Sequence, residues 1–234
     1  MRFPSRLLAA NLFFAGMVWA AFYVVTTLIT VAIAVFGTLT HSVWEGATQV
    51  PRWFALFVGV AMIREFLPLY IAHGQTRRQF GAQAAVTIAL YAPALSALLV
   101  LGYLLETLLY NVAGWPQELA RAHLFASPTD VPLVFLEYLV EFLAWIVAGT
   151  FMAAAFYRWQ GGGLLSIPPG VGLILLGEAA IGTELQLPFI QIPLDVTSTP
   201  AVLTALAGGI GCFLLGLAMT WSIIRDVPLR NRLA

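Results

Sequence analysis

The run Leu7–Phe36 carries no charged residue, and about 30 helical residues at ~1.5 Å each are more than enough to cross the ~30 Å of hydrocarbon in a bilayer. Further apolar runs follow at about 53–72, 82–110, 131–157, 164–181 and 201–224, separated by short polar connectors. A chain patterned this way cannot be a water-soluble globule. The pattern predicts an all-α polytopic membrane protein, one transmembrane domain over 1–234, with six transmembrane helices. Composition agrees, with 61% hydrophobic and 9% charged residues against roughly 25% charge in soluble domains. The apolar runs make the lipid bilayer a partner, and the formal net charge of +0 argues against nucleic acid.

All 11 basic residues are arginine. A phosphate-binding Walker loop and a Schiff-base enzyme both need lysine, so neither resides in this chain. Cys212 is the single cysteine, and His41, His73 and His123 lie far apart, so no disulfide and no metal site is readable. With the N-terminus inside, six crossings place Arg2, Arg6, Arg77, Arg78, Arg158, Arg225, Arg230 and Arg232 on the cytoplasmic side and Arg52 and Arg121 outside. That asymmetry predicts an inner (plasma) membrane protein with both termini cytoplasmic.

The first run reads as an uncleaved span whose start lies along the interface. Pro93 is expected to kink the third run, and Pro116–Phe125 to form a short interfacial helix starting at its proline. Residues 183–200, with Pro188, Pro193 and Pro200, suit a re-entrant or surface-lying element.

Charges inside spans cost at least ~2.5–3.5 kcal/mol each on insertion scales, so Arg64, Glu65, Glu137, Glu141 and Glu178 need partners or a wet cavity. Glu137 and Glu141 share a helix face. Counting residues from the outer ends of their spans puts Arg64 and Glu141 at similar depths, which predicts that Arg64 pairs first with Glu141 and next with Glu137. Such a pair either fixes span packing or serves transport directly. The paired carboxylates have no nucleophile, metal or oxyanion feature beside them, so an intramembrane enzyme ranks last. Thr204, Gly208, Cys212, Gly216 and Thr220 recur at four-residue intervals; this ridge admits another helix closely, within the chain or across a subunit seam.

The stretch Arg64-Glu-Phe-Leu-Pro-Leu-Tyr-Ile-Ala-His-Gly-Gln-Thr-Arg-Arg-Gln-Phe80 resembles the second-span end and coupling segment of ABC transporter permeases of the type-2 exporter family, where a Gly-x-Thr/Ser-Arg-Arg/Lys sequence commonly sits. The resemblance implies an N-terminal interfacial elbow helix at Arg2–Leu7, a re-entrant element between the fifth and sixth spans, and a dimer with a second permease subunit, homo- or heteromeric. It also implies a separate ABC ATPase subunit that carries ATP and Mg, this chain having no cofactor of its own. His73, Gly74, Gln75, Thr76, Arg77, Arg78 and Phe80 become the candidate ATPase contact. Short inner connectors depart from the family by leaving little surface for that ATPase. The alternative function is a proton-coupled secondary transporter, or a membrane scaffold protein, without an ATPase. No substrate is readable from the spans.

Overall fold

The computed structural model describes residues 5–183, 185–187, 190–192 and 202–227. Helix α1 covers Ser5–Phe36 and α2 Val43–Ala47; α3, Gln49–Ala61, continues through a π-helical turn, Met62–Phe66, into α4, Leu67–Ala72. Helices α5, Arg77–Ala113, α6, Val131–Trp159, α7, Ile167–Ile181, and α8, Val202–Ile224, complete the helical set. Among the described residues five stretches are long and apolar enough to cross a membrane: Leu7–Phe36, Val43–Ala72, Arg77–Ala113, Val131–Ile181 and Val202–Ile224. The protein is a helical membrane protein, and its outer face is apolar accordingly, with Phe13 and Phe36 of α1 71% and 89% exposed.

The Val131–Ile181 stretch folds back on itself. Gln160 adopts a positive φ of 52°, and the glycine-rich 3-10 segment Gln160–Ser166 reverses the chain into α7. Gly170 then lies against Met152 and Gly177 against Ala144, so α7 runs antiparallel to α6.

Helix α6 is the hub. Trp145, Ile146, Val147 and Ala148 are all fully buried, because α3, α5, α7 and α8 each lay an apolar face on it. The tightest crossing is α3 on α6. A Cβ added to Gly59 would stand 2.2 Å from the Ile146 carbonyl oxygen, and one on Gly149 2.1 Å from that of Leu56. Backbone thus meets backbone, as small residues permit in membrane helices. The π-helical turn has a local cause: Pro68 lacks an N–H for the Arg64 carbonyl and its ring crowds that group, which widens the turn.

Several boundaries differ from the hydropathy runs. Helix α3 starts at Gln49 and α5 at Arg77, because the capping box of Thr76 and Gln79 begins α5 before the apolar run does. Helix α5 continues through Pro93 to a left-handed C-cap at Gly114. The expected Pro116–Phe125 helix does not form; the amides of Ala120 and Leu124 donate to Glu45 and Glu137 instead of to their own helix. Within 183–200, Leu185–Leu187 pairs antiparallel with Ile190–Ile192, and the rest of that element lies outside the described residues. The elbow expected at Arg2–Leu7 falls mostly outside them too; from Ser5 onward α1 is one continuous helix.

Candidate functional site

The two ends of the bundle carry opposite polar chemistry. Toward one end, ~15 Å along α6 from its start, Arg52 of α3 grips Glu141 of α6 with two parallel bonds, Nε to Oε2 at 2.9 Å and Nη2 to Oε1 at 2.6 Å. Both side chains are essentially sealed, at 3% and 0% exposure. Arg52 is also within electrostatic reach of Glu178 on α7. The Glu178 carboxylate accepts hydrogen bonds from Trp145 Nε1 at 3.3 Å and from the Thr183 hydroxyl. Arg52 Nη1 and both polar atoms of the Gln49 carboxamide are buried without a hydrogen-bond partner.

Beside this pair the loop 114–130 closes over the bundle. His123 Nδ1 lies 2.6 Å from Glu137 of α6, and Nε2 lies 3.2 Å from Glu45 of α2. The same carboxylates accept the Leu124 amide at 2.6 Å and the Ala120 amide at 2.7 Å, while Arg121 stands 3.8 Å from Glu45. Burial pushes the His123 pKa down, but the hydrogen bonds and charges of Glu137 and Glu45 outweigh it and lift the pKa from 6.5 to about 9. His123 is therefore an imidazolium at neutral pH, donating from both nitrogens to two carboxylates. A third tether runs through Glu106 of α5, which accepts the Ser42 hydroxyl at 2.6 Å, the Trp44 amide at 2.8 Å and the Gln117 side-chain amide at 2.8 Å.

Arg64 is not the partner of Glu141 or Glu137. It is 76% exposed, 3.5 Å from Glu65, which is 54% exposed. Arg52 takes its place because α3 begins before the apolar run, bringing Arg52 inside the helix rather than ahead of it. Arg64 shares a groove with Phe156 and Tyr157, close to the end of α6 rather than in mid-span. Sequence reading also missed His123, Glu45 and Glu106, since contacts made by an irregular loop leave no periodic trace.

At the opposite end stands the segment expected to meet an ATPase. Gly74 has a positive φ of 80°, which ends α4 and turns the chain. The Thr76 side chain accepts the Gln79 amide, and the Gln79 carboxamide oxygen accepts the Thr76 amide at 2.9 Å. Arg77 donates from Nη2 to the Val227 carbonyl at 2.7 Å, tying α5 to the end of α8. Arg158 does the same for α6, donating to Ile223 O at 3.1 Å. Phe80 is fully buried and stacks edge-on against Tyr70; it holds α4 to α5 and presents nothing to an outside partner. His73, Gly74, Thr76, Arg78 and Gln79 are exposed, and Gln75 is half-buried.

The small-residue ridge of α8 is spent within the chain. Gly208 abuts Ala180 and Gly216 abuts Val147, the Cys212 thiol donates to Leu173 O at 3.1 Å, and Thr220 lies 3.3 Å from Thr150. Thr204, at the start of the ridge, is exposed. Among the described residues no group of His, Cys, Asp or Glu is placed to hold a metal ion. The network ties α2, α3, α5, α6 and the loop 114–130 together through buried ion pairs and hydrogen bonds. No family model, curated protein or solved structure matches this chain.

Proposed function

We propose that the chain is a permease subunit of an ATP-driven exporter of the ABC type, crossing the inner (plasma) membrane six times with α6 and α7 as separate crossings. It works as a dimer, and a separate ATPase chain carries ATP and Mg. Arg77, Arg78, Arg158 and Arg225 gather at one end of the bundle and Glu45, Glu106, Glu118 and Glu137 at the other; by the positive-inside rule the arginine end is cytoplasmic.

One observation carries the reading. The exposed corner from His73 to Gln79 is stiffened by the Thr76–Gln79 capping box and joined to α8 through Arg77. A push on this corner is passed to α4, α5 and α8 together, as coupling from an ATPase requires. The chain itself supplies no lysine for a nucleotide site, so the hydrolysing group belongs to the partner. Isolating the tagged chain from its own membranes in mild detergent and assaying ATP hydrolysis tests this reading. Co-eluting, vanadate-sensitive hydrolysis with a second chain bearing a Walker loop supports it, and a chain that elutes alone and inert sinks it.

A second reading rests on Glu141, held by Arg52 within electrostatic reach of Glu178 in a sealed polar pocket. Carboxylates so placed can carry protons for a secondary transporter. Under that reading a pH gradient, without ATP, energises reconstituted vesicles, and Glu141→Gln abolishes uptake while the protein stays folded.

A further inference from the structure

A groove of about 640 Å3 opens on the membrane-facing surface between α3, α6 and α7. Trp53, Phe57, Trp145, Phe156 and Tyr157 line it, and Arg64 stands at its cytoplasmic end. Phe57 is 60% exposed and Phe156 38%, so the groove faces hydrocarbon. From Trp53 to Arg64 is a rise of ~16 Å, close to the ~15 Å depth of one leaflet, half of a ~30 Å core.

We infer that this groove binds a phospholipid of the cytoplasmic leaflet, one acyl chain along the aromatic wall and the anionic headgroup phosphate on Arg64. The inference rests on the reading of the basic end as cytoplasmic and needs no ATPase. Among the arginines, Arg64 is the one that lines this groove, whereas Arg52, Arg77 and Arg158 bond to Glu141, Val227 and Ile223 of the chain itself. Arg64 Nε lies 3.5 Å from the Glu65 carboxylate. A guanidinium has five N–H donors, more than one carboxylate takes up, and at 76% exposure that of Arg64 is open to phosphate oxygens as well. At a lipid boundary an arginine reaches for the headgroups while its stem lies on apolar surface. Tyr157 and Trp159 at the end of α6 mark the same level, as interfacial aromatics do. A phospholipid there would lay its acyl chain on the apolar side chains of the groove and bring its phosphate to the Arg64 guanidinium beside Glu65.

Vesicles containing dibrominated phosphatidylglycerol or dibrominated phosphatidylcholine test the site, because the bromines quench Trp53 and Trp145 when the chain occupies the groove. The wild type is expected to prefer phosphatidylglycerol by about fivefold, the ~1 kcal/mol worth of one basic residue near an anionic surface. Arg64→Gln should lose the preference and Arg64→Lys should keep most of it. Arg225→Gln, altering another exposed arginine of the same end, should leave it unchanged. Equal quenching by both lipids in the wild type, or equal losses in Arg64→Gln and Arg225→Gln, overturns the inference. Cross-linking of Phe57→Cys between two copies, with loss of the lipid signal, overturns it in favour of a second copy on the groove. Release of the chain from vesicles by alkaline carbonate would refute the membrane reading itself and is scored separately.

Discussion

The loop-capped end and the arginine end of the bundle spend their charges in opposite ways. Under the loop 114–130, Arg52 is buried against Glu141, and His123 against Glu137 and Glu45, across four chain segments. At the opposite end the arginines bond to backbone carbonyls at helix ends or face outward. Buried ionic partners cost several kcal/mol of desolvation and must be complete, so they fix one arrangement of helices. Arginine caps on helix C-termini cost little and release easily. Under the exporter reading, that division supplies a rigid frame at one end and, at the other, corners that can shift.

The largest expected effect comes from breaking one half of the sealed pair. Glu141→Ala leaves Arg52 buried without its carboxylate and should cost about 3–5 kcal/mol, read as the midpoint of unfolding in mixed detergent. Arg64→Ala should stay within about 0.5 kcal/mol, being exposed. The double change Arg52→Met with Glu141→Leu should cost less than Glu141→Ala; simple additivity would show that the two groups do not act as a pair.

Next in size is the α3–α6 crossing. Gly59→Ala sets a methyl 2.2 Å from a carbonyl oxygen, so the helices must part, at about 1–3 kcal/mol. Gly172→Ala, with open space around it, should be neutral or slightly stabilising by the same measurement.

The strap formed by loop 114–130 should respond to pH. The His123 pKa is raised on folding from 6.5 to about 9, so its contribution is fully present below about 6.5 and is lost as the pH rises through about 9. Melting temperature followed from pH 6 to 10 should fall across that window in the wild type and stay flatter in His123→Gln. A flat wild-type curve would show that the imidazolium clamp adds nothing. The smallest effect on stability belongs to Arg78→Ala, within about 0.5 kcal/mol, although under the exporter reading it weakens the grip of the ATPase.

How much of this was legible beforehand depends on what leaves a periodic trace. Long charge-free runs such as 7–36 and 201–224 announce membrane helices by length alone, and the glycines at 161–163 mark where the chain turns back. Proline was a poorer guide, since no helix starts at Pro116 and α5 continues through Pro93. The pairing of charges did not read out. Arg64 and Arg52 differ by 12 positions, roughly three turns, and choosing between them required the start of α3, which Thr48, Gln49 and other polar residues disguise as connector. The capping role of Thr76 and Gln79 was present in the sequence as a Thr-x-x-Gln pattern. The burial of Phe80 was not, because an aromatic four residues into a helix serves a core and an interface equally well.

The division of labour between the ends has one direct test: ATP hydrolysis that co-elutes with the tagged chain, measured for the wild type, Arg78→Glu and His123→Gln at equal yields of folded protein. The expected result is that Arg78→Glu, altering an exposed arginine of the inner corner, loses most of the co-eluting activity while His123→Gln retains it. Hydrolysis absent from the wild type, or untouched by Arg78→Glu, would contradict the assignment of the inner corner as the place where an ATPase engages.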